Sequence, residues 1–288
     1  MNDSRPEQTP TKSGLLRRRT SDVPFFLIMG GLSSGFVLLI VLLLAADLLF
    51  TSFADFREAL FKPEIQAALR LTLLSCTVAA ILSLWVATPL GYLLSRYRFP
   101  GRWIVDTLVD IPVVLPPLVL GLSLLILFHL PIAGVKEWQL ETWLRDGLKL
   151  PVTYHWRAVV LAQFSVSCAF AVRTMRVTFD QINPRAEDVA RTLGCSRGQA
   201  FVQIALPQAW RGMVAAGTIS WARALGEFGP ILVFAGATRM RTEVLSTSVF
   251  LELSVGNLNA AVAVSLLMVL MAVIVLLILR GIGMRLTA

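Results

Sequence analysis

The sequence predicts an all-α integral membrane protein with six transmembrane helices and both termini in the cytoplasm. Three observations point there. The 288 residues are 56% hydrophobic and only 15% charged, with a mean hydropathy of +0.72, whereas soluble domains carry roughly 25% charged residues. The apolar residues gather into six runs, each long enough for a hydrocarbon core of about 30 Å. Arginines then favour alternate connections, as the positive-inside rule requires.

Residues 1–23 are polar, with Arg17, Arg18 and Arg19 next to the first apolar run, and read as a disordered cytoplasmic tail. The first run, 24–50, is longer than the roughly 7–15 residues of a signal-peptide core and reads as a retained span. Residues 51–288 form the core domain, with spans near 66–95, 104–130, 156–180, 208–235 and 258–280. The inner connections hold Arg96, Arg98 and Arg102, then Arg173, Arg176, Arg185, Arg191, Arg197 and Arg211, then Arg280 and Arg285. The outer connections are mixed in sign, as in Asp55, Arg57, Glu58, Lys62 and Glu64. A missed span would break this alternation. Between the third and fourth spans, Glu137 to Leu148 carries Trp138, Leu140, Trp143 and Leu144 among charges, which suits a short helix at the membrane interface.

The net charge of +8 comes from arginines at the ends of apolar runs. It marks topology rather than nucleic-acid binding, since there is no basic patch with interleaved aromatic residues. Cys76, Cys168 and Cys195 are odd in number and scattered, so they read as packing residues rather than a disulfide frame or a metal site. An intramembrane enzyme is the first rival reading. Gly31-Leu32-Ser33-Ser34-Gly35 matches G-x-S-x-G, but the strand–turn–helix setting of that motif is missing. Gly31 and Gly35 suit a helix-packing face instead.

One connection carries a motif. Residues 181–207, between the fourth and fifth spans, include NPRAEDVARTLGCSRGQAFVQIALP. Asn183 suits an N-cap and Pro184 a first helical position. Glu187 and Asp188 then lie early in the helix, where negative charge is favoured. Ala186, Val189, Ala190 and Leu193 share one face, Gly194 ends the helix, and Ser196 with Gln199 forms a capping box for a second short helix. The apolar face needs cover, from this chain's own spans or from the groove of a partner.

The spacing resembles the EAA signature of the membrane subunits of ATP-binding-cassette importers: Glu-Ala-Ala, three residues, Gly, nine residues, Ile, one residue, Leu-Pro. Here Asp188-Val189-Ala190 takes the first part, followed by Gly194, Ile204, Leu206 and Pro207 at the same spacing. Asp188 keeps the charge, Val189 keeps the apolar face, and Glu187 one residue earlier offers a second carboxylate. The resemblance implies that the loop, with Arg191 among its charges, is a coupling helix that docks into a separate ATPase subunit. The chain has no G-x-x-x-x-G-K-[ST] phosphate loop. The resemblance therefore implies that this chain holds no cofactor of its own and that ATP and Mg belong to that partner.

Two further strings, DIPVVLPPLVLGL from Asp110 to Leu122 and ARALGEFGPILVFAG from Ala222 to Gly236, resemble the molybdate, tungstate and sulfate permeases of prokaryotic inner membranes. That likeness implies an oxyanion as cargo, molybdate first, with tungstate or sulfate as alternatives. It also implies an extracytoplasmic binding protein and a second permease copy, forming a homodimer, with a heterodimer with a sister permease as the alternative. Pro112, Pro116 and Pro117 are expected to disrupt the third span, and broken backbone at membrane depth belongs beside a cavity or covering protein. In the fifth span Arg223 and Glu227 stand at i, i+4 and can pair. Glu227 then acts as a brace and Arg223 is the better anion sensor, beside a stretch that Gly226, Gly229 and Pro230 bend or unwind, with Phe228 as a further gate candidate. The second rival reading is a secondary transporter or channel that needs no ATPase. It would require intramembrane ion sites, and the spans hold few acids: Asp47, Asp106, Asp110 and Glu227.

Overall fold

The computed structural model describes residues 23–131 and 139–285. The expected N-terminal tail, apart from Val23, lies outside them, as does Trp138 of the expected interfacial helix. Two compact units are present, residues 1–47 and 48–288. In the first, most of helix α1 (Val23–Phe50) is continuous and apolar, and its large side chains are exposed. The G-x-S-x-G match lies inside this helix, where Ser34 donates to the Gly31 carbonyl at 3.0 Å. A serine bonded back within its own helix has no nucleophile geometry.

The second unit contains every other helix. They run α2 (Phe53–Phe61), α3 (Pro63–Arg96), α4 (Arg102–Val114), α5 (Pro117–His129), α6 (Leu140–Thr142), α7 (Trp156–Gln181), α8 (Arg185–Thr192), α9 (Arg197–Ala200), α10 (Leu206–Gln208), α11 (Trp210–Leu225), α12 (Gly229–Phe234), α13 (Leu245–Ser254) and α14 (Leu258–Arg285). Among the described residues, α1, α3, α7 and α14 are long and apolar enough to cross a membrane alone. The segment expected at 104–130 is α4 and α5, bent by 114°. The segment expected at 208–235 is α11 and α12, broken between Leu225 and Gly229, and neither piece spans by itself.

Helix α7 is the centre of the unit. Buried residues make up 61% of its most apolar window, against 44% in α3 and 22% in α14. It packs on α3 through small side chains, as membrane helices do when lipid gives no hydrophobic drive for association. Ala79, Ala80, Ser83 and Ala87 of α3 are buried, as are Ala158, Ala162, Ala169 and Ala171 of α7. Ser83 and Ser167 share a hydrogen bond of 3.0 Å across the contact. At Gly91 the approach is closest: a β-carbon there would lie 2.8 Å from Met175 Cβ and 2.9 Å from the Arg176 backbone nitrogen. No larger residue fits at 91 without separating the helices.

In the connection between α5 and α7, α6 runs into a π-helical turn, Trp143–Gly147, with Trp143 exposed. Leu140 and Leu144 pack on the core. Buried Glu141 accepts hydrogen bonds from the backbone N–H groups of Val152 and Thr153 and from Thr153 Oγ1, at 2.9–3.2 Å. A sequence reading sees Glu141 as one more outer charge, whereas the fold uses it to tie the connection to the start of α7.

Candidate functional site

Two broken helices meet at the heart of the second unit. Pro112 was expected to help break the third span, but α4 continues through it to Val114. One proline removes one donor, and a helix absorbs that loss if its neighbours stay helical. The break falls at Leu115 and Pro116, both extended (ψ 137° and 133°). Each precedes a proline, the position from which the α conformation is sterically disfavoured. Pro117 then starts α5, where its missing N–H costs nothing.

The second break is at the end of α11. Gly226 caps the helix, Glu227 and Phe228 leave helical geometry, and Gly229 and Pro230 start α12. The two breaks pack directly on each other. A β-carbon at Gly229 would lie 2.9 Å from Pro117 Cβ and 3.0 Å from the Leu118 nitrogen, and one at Gly121 would lie 2.7 Å from Pro230 Cα. These obstacles are backbone atoms and a rigid proline ring, so the contact exists only with glycine on both sides. Gly121→Val is therefore expected to destabilise the complex by about 1–3 kcal/mol, the usual cost of overpacking. A lowered midpoint in thermal unfolding of the purified complex would show it, and an unchanged midpoint would contradict so tight a contact.

Side chains from other helices hold the freed backbone. Gln163, wholly buried in α7, donates to the Ala224 carbonyl at 3.2 Å. Ser246 Oγ of α13 donates to the Glu227 carbonyl at 2.7 Å. Glu227 is 1% exposed and stands 2.9 Å from Arg223, whose guanidinium lies over the Phe170 ring at 5.7 Å. Phe228 stacks against Phe250 with ring centroids 5.2 Å apart. Neither Gln163 nor Ser246 stands out in the sequence, since the carbonyls they meet are exposed only by a break more than 15 residues away.

The second site is the loop of residues 181–207. Helix α8 begins one residue later than expected: Pro184 is the half-helical residue, while Asn183 Oδ1 accepts from the Arg185 N–H at 3.0 Å. Asn183 thus caps from one position further out. Gly194 ends α8 at φ +97°, the Ser196–Gln199 capping box starts α9, and a π-helical turn, Phe201–Ala205, containing Ile204, leads into α10 with Leu206 and Pro207. The faces of α8 divide more sharply than a helical wheel suggests. Glu187 and Ala190 are buried, whereas Ala186, Val189 and Leu193 are exposed, Leu193 at 81%.

Glu187 makes the attachment. One of its carboxylate oxygens accepts from Tyr92 Oη at 2.6 Å and the other from Arg96 Nε at 3.0 Å. Arg96 also donates to the Ile182 carbonyl at 2.9 Å. Tyr92 and Arg96 lie one turn apart at the end of α3, so a single face of that helix grips the loop. Phe179 and Phe201 pack around the Tyr92 ring. Asp188, which takes the acidic position of the signature, is exposed and only 3.7 Å from Arg191. The two adjacent acids therefore have separate tasks: Glu187 faces inward as the anchor, and Asp188 faces solvent. Among the described residues no group of histidine, cysteine or acidic side chains is placed to hold a metal ion.

The stretch that builds these paired helix breaks and the clamped amphipathic helix matches a known family. The profile of the binding-protein-dependent transport system inner membrane components matches residues 87–287. The chain belongs to that family. It is a multi-pass permease of the inner membrane and a transport subunit, not an enzyme. It is 36% identical over 247 residues to the sulfate transport system permease protein CysT of Escherichia coli (strain K12), covering 84% of this chain and 87% of that protein. It is 31% identical over 217 residues to the molybdenum transport system permease protein ModB of the same organism, covering 75% of this chain and 92% of that one. A bacterial alginate ABC transporter, solved with an alginate pentasaccharide-bound periplasmic protein, contains a chain that superposes with a TM-score of 0.70. That match covers 92% of the permease and 97% of the other chain, and at 18% identity it establishes the fold.

Proposed function

We propose that the permease is the membrane subunit of an ATP-driven importer that takes up a tetrahedral oxyanion. The observation that carries this reading is the exposed row Ala186, Val189 and Leu193 on a helix whose opposite side is anchored by Glu187. A large apolar residue left in water beside a rigid clamp is the surface expected of a helix that inserts into a partner's groove. In this reading the groove belongs to a separate ATPase subunit, which carries ATP and Mg. The chain crosses the membrane six times, α4–α5 and α11–α12 each counting once, with both termini inside. A second permease copy completes a central pathway, and an extracytoplasmic protein delivers the cargo.

Sulfate is the first cargo to test, because identity to the sulfate permease exceeds identity to the molybdenum permease. Molybdate, the cargo expected first from the sequence, is the second, and tungstate the third. The experiment is ATP hydrolysis by the reconstituted permease and ATPase, with the binding protein loaded in turn with each oxyanion. Stimulation by one loaded form identifies the cargo. A Val189→Glu, Leu193→Glu double variant is expected to co-purify with at least about tenfold less ATPase, since two apolar anchors are replaced by charges in a groove. Full co-purification would overturn the docking assignment. No association of the wild-type permease with any ATPase would favour a secondary transporter.

A further inference from the structure

Three arginine–carboxylate pairs line one side of α7 on the loop side of the helix breaks. Arg223 meets Glu227 at 2.9 Å and lies over Phe170. One turn further along α7, Arg173 meets Asp110 of α4 at 2.7 Å. Arg176 meets Asp106 at 2.7 Å, and Arg102 and Asp180 flank that pair at 3.9 and 4.0 Å. By the rise of an α-helix, Arg223 stands about 20 Å from the loop end of α11, while Arg173 and Arg176 stand about 12 and 8 Å from the loop end of α7. They form a descending column that starts beside the paired breaks and ends at the cytoplasmic mouth.

Two features separate this column from a structural brace. Enclosure is lost below its head: Glu227 is 1% exposed, but the side chains of Asp110 and Arg173 are 42% and 49% exposed and those of Asp106 and Arg176 are 29% and 36% exposed. Pairs this open are held weakly. Charges standing open within spans line a watery cavity rather than lipid. The charges also balance, with four arginines (Arg102, Arg173, Arg176 and Arg223) against four carboxylates (Asp106, Asp110, Asp180 and Glu227). An unopposed arginine would hold a dianion too tightly for transit, because conduction needs sites that release as readily as they bind.

We propose that Arg173 and Arg176 form a transit site for a tetrahedral dianion, with Asp110 and Asp106 as place-holders that the anion displaces on its way inward. The guanidinium fork suits two oxygens of such an anion as well as it suits a carboxylate. Glu227, fully enclosed, stays in place and fixes Arg223 at the head of the column. The site rests on the oxyanion reading above and adds to it the side chains that carry the anion through the inner half.

The test uses the complete importer in liposomes, with uptake of radiolabelled sulfate and radiolabelled molybdate, and equilibrium retention of the same labels by the solubilised importer without binding protein. Arg173→Gln is expected to lower both uptake and retention about tenfold or more, the loss of a charge-assisted contact. Asp110→Asn is expected to do the opposite to retention, raising it about tenfold while slowing uptake, because the freed arginine traps the anion. Opposite effects on retention are something a brace does not produce. If both variants lose uptake alike without any rise in retention, the column is a brace and the proposal fails. If the wild-type importer takes up neither label, the oxyanion reading falls and the site with it. If the wild type imports and Arg173→Gln imports equally well, the site alone falls.

Discussion

Replacing Glu187 with alanine is expected to abolish cargo-stimulated ATP hydrolysis, while replacing its neighbour Asp188 leaves most of it. Glu187 accepts from Tyr92 and Arg96 in a setting where its side chain is 8% exposed and that of Arg96 is 12%. Removing one member of a buried pair costs about 3–5 kcal/mol, because the other charge is left without a partner. Arg96 retains only the Ile182 carbonyl, and α8 loses its tie to α3. Asp188 and Arg191 are both open to water and 3.7 Å apart, and such a pair is worth about 0.5 kcal/mol or less. Hydrogen exchange across residues 185–193, compared between Glu187→Ala and Asp188→Ala, reads the local effect. ATP hydrolysis with and without loaded binding protein reads the functional one. Similar behaviour of the two variants would mean that the inward orientation of Glu187 has no role in coupling.

The spans were legible because apolar run length and arginine placement depend only on local composition. Four of the expected segments reappear in α1, α3, α7 and α14 within about three residues at most ends, a margin common for helix termini, though α14 runs on to Arg285. Pro116-Pro117 and Gly226 to Gly229 announced that two segments break, because these residues act on the backbone wherever they stand. The 114° bend and the contact between the two breaks were not legible, since they depend on Gly121 meeting Pro230 more than 100 positions away. The same limit applied to the loop. A helical wheel places Ala186, Val189, Ala190 and Leu193 together, yet it cannot say that Ala190 turns inward with Glu187. That division is made by Tyr92 and Arg96 at the end of another helix. Arg173 and Arg176 were read as topology signals, and Asp106 and Asp110 as two of the few acids in the spans. Only packing of α4 against α7 brings them together.

Gly194→Pro is expected to uncouple transport from ATP hydrolysis while leaving the spans folded. Gly194 stands at φ +97°, in the left-handed region. Two hydrogen bonds close the turn: Cys195 N–H to the Ala190 carbonyl at 3.0 Å and Gly194 N–H to the Arg191 carbonyl at 3.1 Å. This is the Schellman pattern that ends many helices on glycine. Proline fixes φ near −65° and has no N–H, so it removes the second bond and forbids the turn, at a cost of about 3 kcal/mol or more. Alanine keeps the N–H and pays only for left-handed backbone, about 1–2 kcal/mol. Crowding plays no part, since a β-carbon at 194 meets nothing within 4 Å. The expected order of cargo-stimulated hydrolysis is therefore wild type, Gly194→Ala, Gly194→Pro, the last reduced roughly a hundredfold if the whole backbone cost falls on the docking-competent loop. Circular dichroism and the yield of assembled complex should stay near wild type, because the turn lies outside the packed spans. Transport by Gly194→Pro at the wild-type rate would show that α8 and α9 need not hold their relative direction, and that docking depends on the exposed row of α8 alone.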